Sequence, residues 1–300
     1  MLKREKTKFI NRVSKEHTIP MRDVETVVDE LFMYSSTRVD SVTENTTGIS
    51  FGILSLDSKI EIKPGITIMY SQPDGGKTSF LKTVAKTGVE QGLNVLYYDA
   101  ENKLCLHDLV PLDNVIIAKT YRDSGMKEVI KSGHIDMVIV DTITSVFKTS
   151  QWSFIHDIKK HVPYIILAAQ MRTDISSGIS VPACDPTLLS SSHTILYFTS
   201  KESIRIENKK LVRVQYNVIK YEANRDMENL RDSLIICNNM VDILYSAYDI
   251  LKARNIITTH GRDKLLDNVN IGSIKNIVYN SDEWNMMVGQ AISELIKPIF

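Results

Sequence analysis

The segment Ser71–Thr78, with the sequence SQPDGGKT, constrains the fold of this chain more than any other feature. It follows an apolar run at Ile66–Tyr70 and opens a stretch of helical character at Thr78–Gln91. A strand, a glycine-rich loop and a helix in this order bind phosphate groups, because backbone N–H groups and the helix N-terminus donate to phosphate oxygens. The sequence therefore predicts a phosphate loop within an α/β fold.

The residue types in this loop predict how the phosphates are held. Lys77 is expected to neutralise the β- and γ-phosphates, and the hydroxyl of Thr78 is expected to bind Mg²⁺. Ser71 stands where the motif has its first glycine, and a serine fits there only if the backbone needs no positive φ. The other predicted phosphate-binding residues are Gln72, Pro73, Asp74, Gly75, Gly76 and Ser79. A glycine-rich turn without a ligand is the alternative, and the flanking strand and helix argue against it.

Short β-branched runs alternate with helical stretches from about residue 51. This alternation predicts βαβ units on a mostly parallel sheet with buried strands. The strands are predicted at Ile66–Tyr70, Val95–Tyr98, Val115–Ala118, Met137–Val140 and Tyr164–Ala168, and the helices at Lys77–Gln91, Ser124–Ser132 and Trp152–His161. Antiparallel strands are then predicted at Thr194–Thr199, Ser203–Glu207 and Leu211–Ile219, with a turn at Asn208-Lys209.

Changes in composition divide the chain into three predicted segments. Residues 1–45 are expected to form a helical, basic segment for subunit contact, since residues 1–16 carry six Lys/Arg against two Glu. Residues 46–236 form the predicted α/β core. Amphipathic helices at 240–254 and 283–296 predict a small helical C-terminal lobe over residues 237–300.

Composition excludes several classes of protein. The three cysteines lie far apart without a CxxC pair, which excludes a disulfide scaffold and a zinc finger and favours a reducing cytosol. The apolar runs are far shorter than the ~18 residues of a membrane span, and no secretion signal is predicted. Lys+Arg and Asp+Glu are equal at 36 each, so any binding of nucleic acid must depend on local patches of charge.

Carboxylates follow two of the predicted strands. Glu101 ends the segment Asp99-Ala100-Glu101 after Val95–Tyr98, a strand expected to lie next to that of the phosphate loop. Glu101 is therefore expected to orient or activate water at the γ-phosphate, the alternative being a surface glutamate at the start of a loop. A second alternative is that Asp99 belongs to the strand end and contacts the loop. Asp141 follows Met137–Val140 and is expected to hold Mg²⁺ through water, with support from Thr142.

Gln170 follows the predicted strand Tyr164–Ala169. A glutamine at a strand end beside the γ-phosphate can sense hydrolysis and pass the signal to the loop that follows it. That loop, Thr173–Ser192, is long, and loops of more than ~15 residues in a compact domain are usually functional or disordered. An inert surface loop is the alternative.

The order of the motifs SQPDGGKT, YYDAE, MVIVDT and ILAAQMR resembles the core of RecA-type recombinases, and within that family the UvsX type of phages. The likeness covers most of residues 45–300. It implies a RecA-like P-loop ATPase core with a mostly parallel central sheet, late antiparallel strands and a small helical C-terminal lobe. It also implies ATP and Mg²⁺ as cofactors, with catalytic roles for Lys77, Glu101, Gln170 and Lys220.

The resemblance implies an active site shared between subunits. The segment Val218–Glu222 is similar to a late strand of the family whose lysine reaches the nucleotide of a neighbouring subunit. Lys220 and Arg225 are therefore candidates for cations that act in trans on the γ-phosphate. A solvated lysine or arginine at a strand end is the alternative for each.

Two loops are implied to contact DNA. The first includes Phe147, Lys148 and Trp152, and the second includes Arg172 and the segment Thr173–Leu189 with Ser177. Cations follow phosphates and aromatic rings stack on bases. Burial of Trp152 under its own helix is the alternative for that residue.

The function implied by the resemblance is that of a DNA-dependent ATPase, which coats single-stranded DNA as a filament and promotes homologous pairing and strand exchange. The implied partners are single-stranded DNA, further copies of the chain, a recombination mediator and a single-strand binding protein, in the cytoplasm of a bacterium that a phage has infected. Two alternatives are a hexameric DnaB-like helicase and a KaiC- or RadA-type assembly. The ~45 residues before the core are too few for a helicase N-terminal domain, and the intact phosphate loop argues against an inactive scaffold.

Overall fold

The computed structural model describes residues 48–104, 114–119, 124–146, 151–173, 180–260, 263–266, 269–271, 273–274, 277 and 281–296. The predicted basic segment at residues 1–45 lies outside the described residues, so its role in subunit contact stays a prediction. No helix within the described ranges is long and apolar enough to cross a bilayer.

A large mixed sheet forms the centre of the fold. Its strands occur in the order β10-β9-β8-β7-β1-β5-β4-β2-β3, and β6 pairs with the end of β5. The five pairings from β7 to β3 are parallel, whereas β7, β8, β9 and β10 pair antiparallel. The strands are β1 Gly65–Ser71, β2 Val95–Asp99, β3 Val115–Ala118, β4 Met137–Asp141, β5 Tyr164–Thr173, β6 Ser180–Pro182, β7 Thr194–Ile206, β8 Lys209–Tyr221, β9 Arg231–Cys237 and β10 Met240–Val241.

The described helices cover both faces of this sheet. They are α1 Leu54–Asp57, α2 Lys77–Glu90, α3 Ser124–Lys131, α4 Ile143–Val146, α5 Gln151–Lys159, α6 Pro186–Ser191, α7 Ile243–Ala253 and α8 Asp282–Ile296. Helix α2 packs Phe80, Leu81 and Val84 on one face, and α5 packs Phe154, Ile155 and Ile158 on the other. Strands β1, β2 and β4 are buried on both faces, which is why they are continuous apolar runs in the sequence. The predicted α/β class, with a mostly parallel sheet and late antiparallel strands, is confirmed.

The strand of the phosphate loop does not neighbour the strand that precedes Glu101. Strands β5 and β4 lie between β1 and β2 in the sheet, so the prediction that these two strands are adjacent is wrong. A single crossover through α2 joins β1 to β2 and leaves room for two strands between them, which β4 and β5 fill later in the chain.

Two predicted strands in the second half of the core form a single strand. Thr194–Thr199 and Ser203–Glu207 both belong to β7, which has 13 residues. Residues 199–203 are exposed and polar, yet they keep their pairing with β8 through an irregularity between Phe198 and Ser200. The turn between β7 and β8 lies at Glu207-Asn208, one residue earlier than predicted, and both residues have positive φ, as a tight hairpin turn requires.

The predicted long loop Thr173–Ser192 contains regular structure. Strand β5 runs out to Thr173, and β6 pairs antiparallel with it, so that Arg172 faces Val181. Asp185 then caps α6 by accepting a hydrogen bond from the backbone N–H of Thr187 at 2.8 Å. A hairpin therefore projects beyond the edge of the sheet, and the prediction of an irregular loop is corrected for residues 180–191.

The C-terminal part of the described chain packs against the antiparallel strands. Helices α7 and α8 are present close to their predicted positions, and they bury Tyr248, Leu251 and Met287 in a cluster that also includes Ile235 of β9. The segment between these helices forms a second, three-stranded sheet of β11 Ile257–His260, β12 Asp263–Leu266 and β13 Val269–Asn270. The division of the chain after residue 236 stays a prediction, because β9 and the C-terminal helices share one cluster.

Candidate active site

A cleft of about 410 Å³ opens at the carboxyl edge of β1. Five side chains that the sequence predicted to act together line it: Lys77, Thr78, Glu101, Asp141 and Gln170. The carboxyl ends of β1, β5 and β4 meet at this edge because these strands are parallel neighbours. The remaining lining residues are Pro73, Asp74, Gly75, Gly76, Ser79, Lys82, Lys103, Lys201, Val212, Ile236 and Asn239.

The loop between β1 and α2 requires glycine at Gly76. Its φ is 90°, in the left-handed region, and a Cβ built there would lie 3.0 Å from Cδ1 of Ile236. Ser71, by contrast, lies in β1 and needs no positive φ, as a serine at this position requires.

Lys77 is buried and folds back onto its own loop. Its Nζ donates to Oγ of Ser71 at 2.8 Å and to the carbonyl of Gln72 at 3.1 Å. Burial lowers the pKa of this ammonium group, and the charges of Asp141 and Glu101 oppose that effect. The hydroxyl of Ser71 thus supplies an acceptor that a glycine would lack.

The side chain of Ser71 fills the space that a side chain at position 75 would need. A Cβ built on Gly75 would lie 2.7 Å from Cβ of Ser71 and closer still to its Oγ. We expect Gly75→Ala to lower the stability of the loop by roughly 1–3 kcal/mol through overpacking, and Ser71→Gly to remove most of that cost. Thermal unfolding of the two single variants and of the double variant, each with and without nucleotide, measures this coupling. Additive effects of the two substitutions would contradict it.

Asp141 is almost completely buried beside the phosphate loop. Burial raises the pKa of its carboxyl group, while hydrogen bonds from Thr78 and from Tyr97, the latter at 3.0 Å, act in the opposite direction. Its Oδ1 atom has no hydrogen-bond partner among the described residues. An unpartnered carboxylate oxygen beside a threonine hydroxyl fits the oxygen ligands that Mg²⁺ prefers.

Glu101 stands at the centre of a hydrogen-bond network. Its Oε1 accepts hydrogen bonds from Gln170 Nε2 at 2.5 Å and from Thr142 Oγ1 at 3.1 Å, and its Oε2 contacts Lys103 Nζ at 2.5 Å. Burial acts to raise the pKa of Glu101, but the contacts with Lys103, Thr142 and Gln170 together hold it below its usual value. The structure therefore brings the predicted water-orienting acid and the predicted sensor into direct contact. The hydroxyl group of Thr142, which was expected to support Asp141, donates to Glu101.

Glu101 reaches the cleft because the chain turns across the end of β4. The N–H of Ala100 donates to the carbonyl of Asp141 at 2.8 Å, and the N–H of Glu101 donates to the same oxygen at 3.3 Å. Asp99, fully buried, closes this turn by accepting hydrogen bonds from the N–H groups of Lys103 at 3.0 Å and Leu104 at 2.8 Å. The turn carries Glu101 over the intervening strand toward the phosphate loop.

Lys220 lies near the opposite edge of the sheet. In the sheet, Lys220 of β8 pairs with Ile195 of β7, and Ile195 pairs with Ile68 of β1. Ile68 lies in the middle of β1, whereas the phosphate loop begins after Ser71 at the end of that strand. Its Nζ donates to the carbonyls of Ser190 at 2.9 Å and Ser192 at 2.5 Å. Lys220 also forms an ion pair with Glu222 at 2.8 Å, and with Arg225, Glu222 and Glu228 it lines a second cleft of about 540 Å³. Lys220 and Arg225 are thus remote from the phosphate loop of their own chain.

The predicted DNA-binding residues are only partly described. Arg172 and Thr173 are exposed on the projecting hairpin of β5 and β6. Trp152 lies in α5, but its side chain is outside the described part of the chain, as are Phe147, Lys148 and Ser177.

Sequence reasoning missed two lysines that line the cleft, Lys103 and Lys201, and also Tyr97, which donates to Asp141 from behind the cleft. Tyr97 lies two residues before Asp99 on a buried strand, and Lys103 lies two residues after Glu101, so both were close to motifs already recognised. Lys201 donates to the carbonyl of Asp74 at 3.0 Å from the exposed part of β7. No local signal in the sequence marks Lys201, because more than a hundred residues separate it from the loop.

No protein-family model matches the chain. The chain is 25% identical over 170 residues to the DNA repair and recombination protein RadB of Archaeoglobus fulgidus, an alignment that covers 47% of this chain and 76% of that protein. It is 22% identical over 221 residues to the RadB protein of Methanococcus maripaludis, covering 64% of this chain and 97% of that protein. A crystal structure of the RadB recombinase has a TM-score of 0.47 and 21% identity, over 64% of this chain and 98% of that one.

The curated relatives are thus proteins of DNA repair and recombination, at low identity. The alignments cover 47% and 64% of this chain, and they support a distant relation to these proteins of repair and recombination.

Proposed function

We propose that this protein is a DNA-dependent ATPase that assembles on single-stranded DNA and promotes homologous pairing and strand exchange. The gathering of Lys77, Thr78, Glu101, Asp141 and Gln170 in one cleft is the observation that carries the ATPase activity, and the similarity to DNA repair and recombination proteins supports the role on DNA. These residues supply a phosphate cation, oxygen ligands for a metal, a carboxylate for water and an amide sensor, which together are the parts that phosphoryl transfer requires.

In the proposed reaction, water attacks the γ-phosphorus of ATP and the bond from that phosphorus to the bridging oxygen breaks, which yields ADP and phosphate. Glu101 orients the water and accepts its proton, which later passes to the phosphate product or to solvent. Lys77 leaves Ser71 and Gln72 to contact the phosphates, and the backbone of the loop binds their oxygens. Mg²⁺, held by Thr78 and by Asp141 through water, would offset charge on the β- and γ-phosphates.

Gln170 links the chemistry to DNA in this proposal. It contacts Glu101, and two residues later on the same strand Arg172 projects with the β5–β6 hairpin. A shift of Gln170 after the γ-phosphate leaves would therefore act directly on a strand whose tip carries an exposed cation for DNA phosphates. Arg172, Thr173 and Ser177 of this loop, and Lys148 and Trp152 of the other, are the proposed DNA-binding residues.

The active site is proposed to be completed by a second subunit. Lys220 and Arg225 line a second cleft and not the one around their own phosphate loop, and this separation supports the view. In an assembly of identical chains, these cations would meet the γ-phosphate bound by a neighbour. The likeness to the UvsX type, a recombination mediator and a single-strand binding protein as partners, and a setting in the cytoplasm of a phage-infected bacterium belong to the same proposal.

ATP hydrolysis measured with and without single-stranded DNA, together with electron microscopy, tests the proposal. We expect DNA to stimulate turnover and ATP to produce extended helical filaments on it. Closed six-membered rings would favour a hexameric helicase. Turnover that single-stranded DNA does not change would contradict the proposed function.

A further inference from the structure

Lys103 and Glu101 lie on one short turn and face the same cleft. The turn is rigid, because the buried Asp99 carboxylate accepts from two of its N–H groups and Leu104 is buried in the core. Lys103 Nζ lies 2.5 Å from Glu101 Oε2, with side-chain exposures of 51% and 11%. The backbone is thus fixed, while the long side chain of Lys103 remains free to move at its exposed end.

This pairing conflicts with the proposed role of Glu101. Gln170 and Thr142 donate to one carboxylate oxygen, and Lys103 occupies the other. A carboxylate that orients water needs an oxygen open to that water. With Lys103 in place, one acceptor position of Oε2 is occupied and the paired ammonium group lowers the basicity of the carboxylate, so Glu101 is a weaker acceptor for the proton of a water molecule.

The position of Lys103 suggests how the conflict is resolved. It lines the cleft together with the phosphate loop, and its charge interacts with Asp74 and Asp141 as well as with Glu101. A triphosphate entering this cleft brings several negative charges close to the ammonium group, and charge-assisted hydrogen bonds to phosphate are among the stronger ones.

We propose that Lys103 is a positioning residue that pairs with Glu101 in the empty cleft and transfers to the terminal phosphate when ATP binds. The transfer opens Oε2 of Glu101 to water only after the cleft is loaded. Binding of ATP thereby breaks the ion pair that makes Glu101 a weaker acceptor for the proton of water. This inference rests on the proposed ATPase function and adds a residue to that same site.

A double-mutant cycle on nucleotide affinity tests the transfer without measuring turnover. Displacement of a fluorescent ATP analogue gives the affinity for ATP and for ADP in the presence of Mg²⁺. In Glu101→Gln the ammonium group of Lys103 has lost its ion pair before ATP binds. We therefore expect ATP to bind about threefold to tenfold more tightly than in the wild type. The range is modest because Lys103 is exposed to solvent, which screens its charge. In Glu101→Gln combined with Lys103→Met, most of that gain should be lost.

Three comparisons separate this mechanism from simpler ones. Lys103→Arg keeps the charge and should preserve the gain in affinity from Glu101→Gln. ADP lacks the γ-phosphate and should show little coupling between the two positions. Lys201→Met removes another lysine of the cleft, which contacts Asp74 and not Glu101, and its effect should add independently to that of Glu101→Gln.

The outcomes distinguish failure of this inference from failure of the proposed function. A wild-type protein that binds no ATP, or that binds it without hydrolysis, would overturn the proposed function. Normal binding and hydrolysis, with equal gains from Glu101→Gln whether or not Lys103 is present, would mean that the gain comes only from loss of carboxylate repulsion, and the transfer of Lys103 would be wrong. Circular dichroism and thermal unfolding of each variant confirm that the compared proteins are folded.

Discussion

Glu101→Gln is expected to reduce ATP hydrolysis by about 100-fold or more, while binding of ATP and of single-stranded DNA persists. Glutamine keeps the size of the side chain and can still accept from Thr142 and Gln170, so the network around Oε1 survives. The charge that orients water is lost. The change therefore separates binding from chemistry at a single residue.

Steady-state turnover and filter binding of single-stranded DNA measure the two effects. Glu90→Gln is the matched control, because Glu90 is an exposed residue at the end of α2 whose ion pair with Lys86 lies on the helix surface. That control should hydrolyse ATP like the wild type. Turnover near the wild-type rate in Glu101→Gln would show that the catalytic carboxylate lies elsewhere and that Glu101 is structural.

Local patterns in the sequence predicted the phosphate loop and its two flanking elements closely. The predicted strand Ile66–Tyr70 is observed as Gly65–Ser71, and the predicted helix Lys77–Gln91 is observed as Lys77–Glu90. Both are predictable because a buried parallel strand is a continuous apolar run and because the GKT segment marks the first turn of the helix. The same reasoning correctly predicted that Asp141 and Gln170 lie at the carboxyl edge of the parallel strands.

Strand order could not be read from such patterns. An apolar run shows that a strand is buried, but it does not reveal which strand lies beside it. Glu101 reaches the cleft through a turn that crosses Asp141, and that hydrogen bonding joins residues about forty positions apart in the chain. The contact of Lys201 with Asp74 is equally non-local, so no local pattern in the sequence indicated it. Lys103 lies only two residues after Glu101, but nothing in the local pattern showed that its side chain would pair with that carboxylate.

The sequence did not predict β7 as one continuous strand, and the reason is a different one. Its central residues, 199–203, are polar and exposed, which in a sequence indicates a loop. They remain in a strand because β8 supplies a complete antiparallel partner, and Ser200 Oγ also donates to the side chain of Gln215 at 3.0 Å. Pairing with a neighbour, rather than the local sequence, therefore decides the structure of this segment.

Lys220→Ala subunits are expected to bind ATP almost normally and to hydrolyse it poorly, even with single-stranded DNA. Lys220 lies on a paired strand near the edge opposite its own phosphate loop, and in the isolated chain it is held by Glu222 and by the carbonyls of Ser190 and Ser192. Loss of the Lys220 cation should therefore remove charge stabilisation from the γ-phosphate of the nucleotide bound by a neighbouring subunit. Lys210→Ala, at the other end of β8 and exposed, is the matched control and should leave turnover unchanged.

Mixing Lys220→Ala subunits with Lys77→Ala subunits tests whether the two residues serve one site across an interface. Lys77→Ala alone should abolish turnover, because it removes a charge-assisted contact to phosphate worth ~1.5–3 kcal/mol and the cation needed in the transition state. In a mixture, a Lys220→Ala chain offers an intact phosphate loop to the intact Lys220 of a Lys77→Ala chain. Random assembly of equal amounts makes about a quarter of the interfaces complete, so partial DNA-stimulated activity should return. Two inactive variants that co-assemble yet never restore activity would place Lys220 outside the neighbour's active site, and the shared-site mechanism would lose its support.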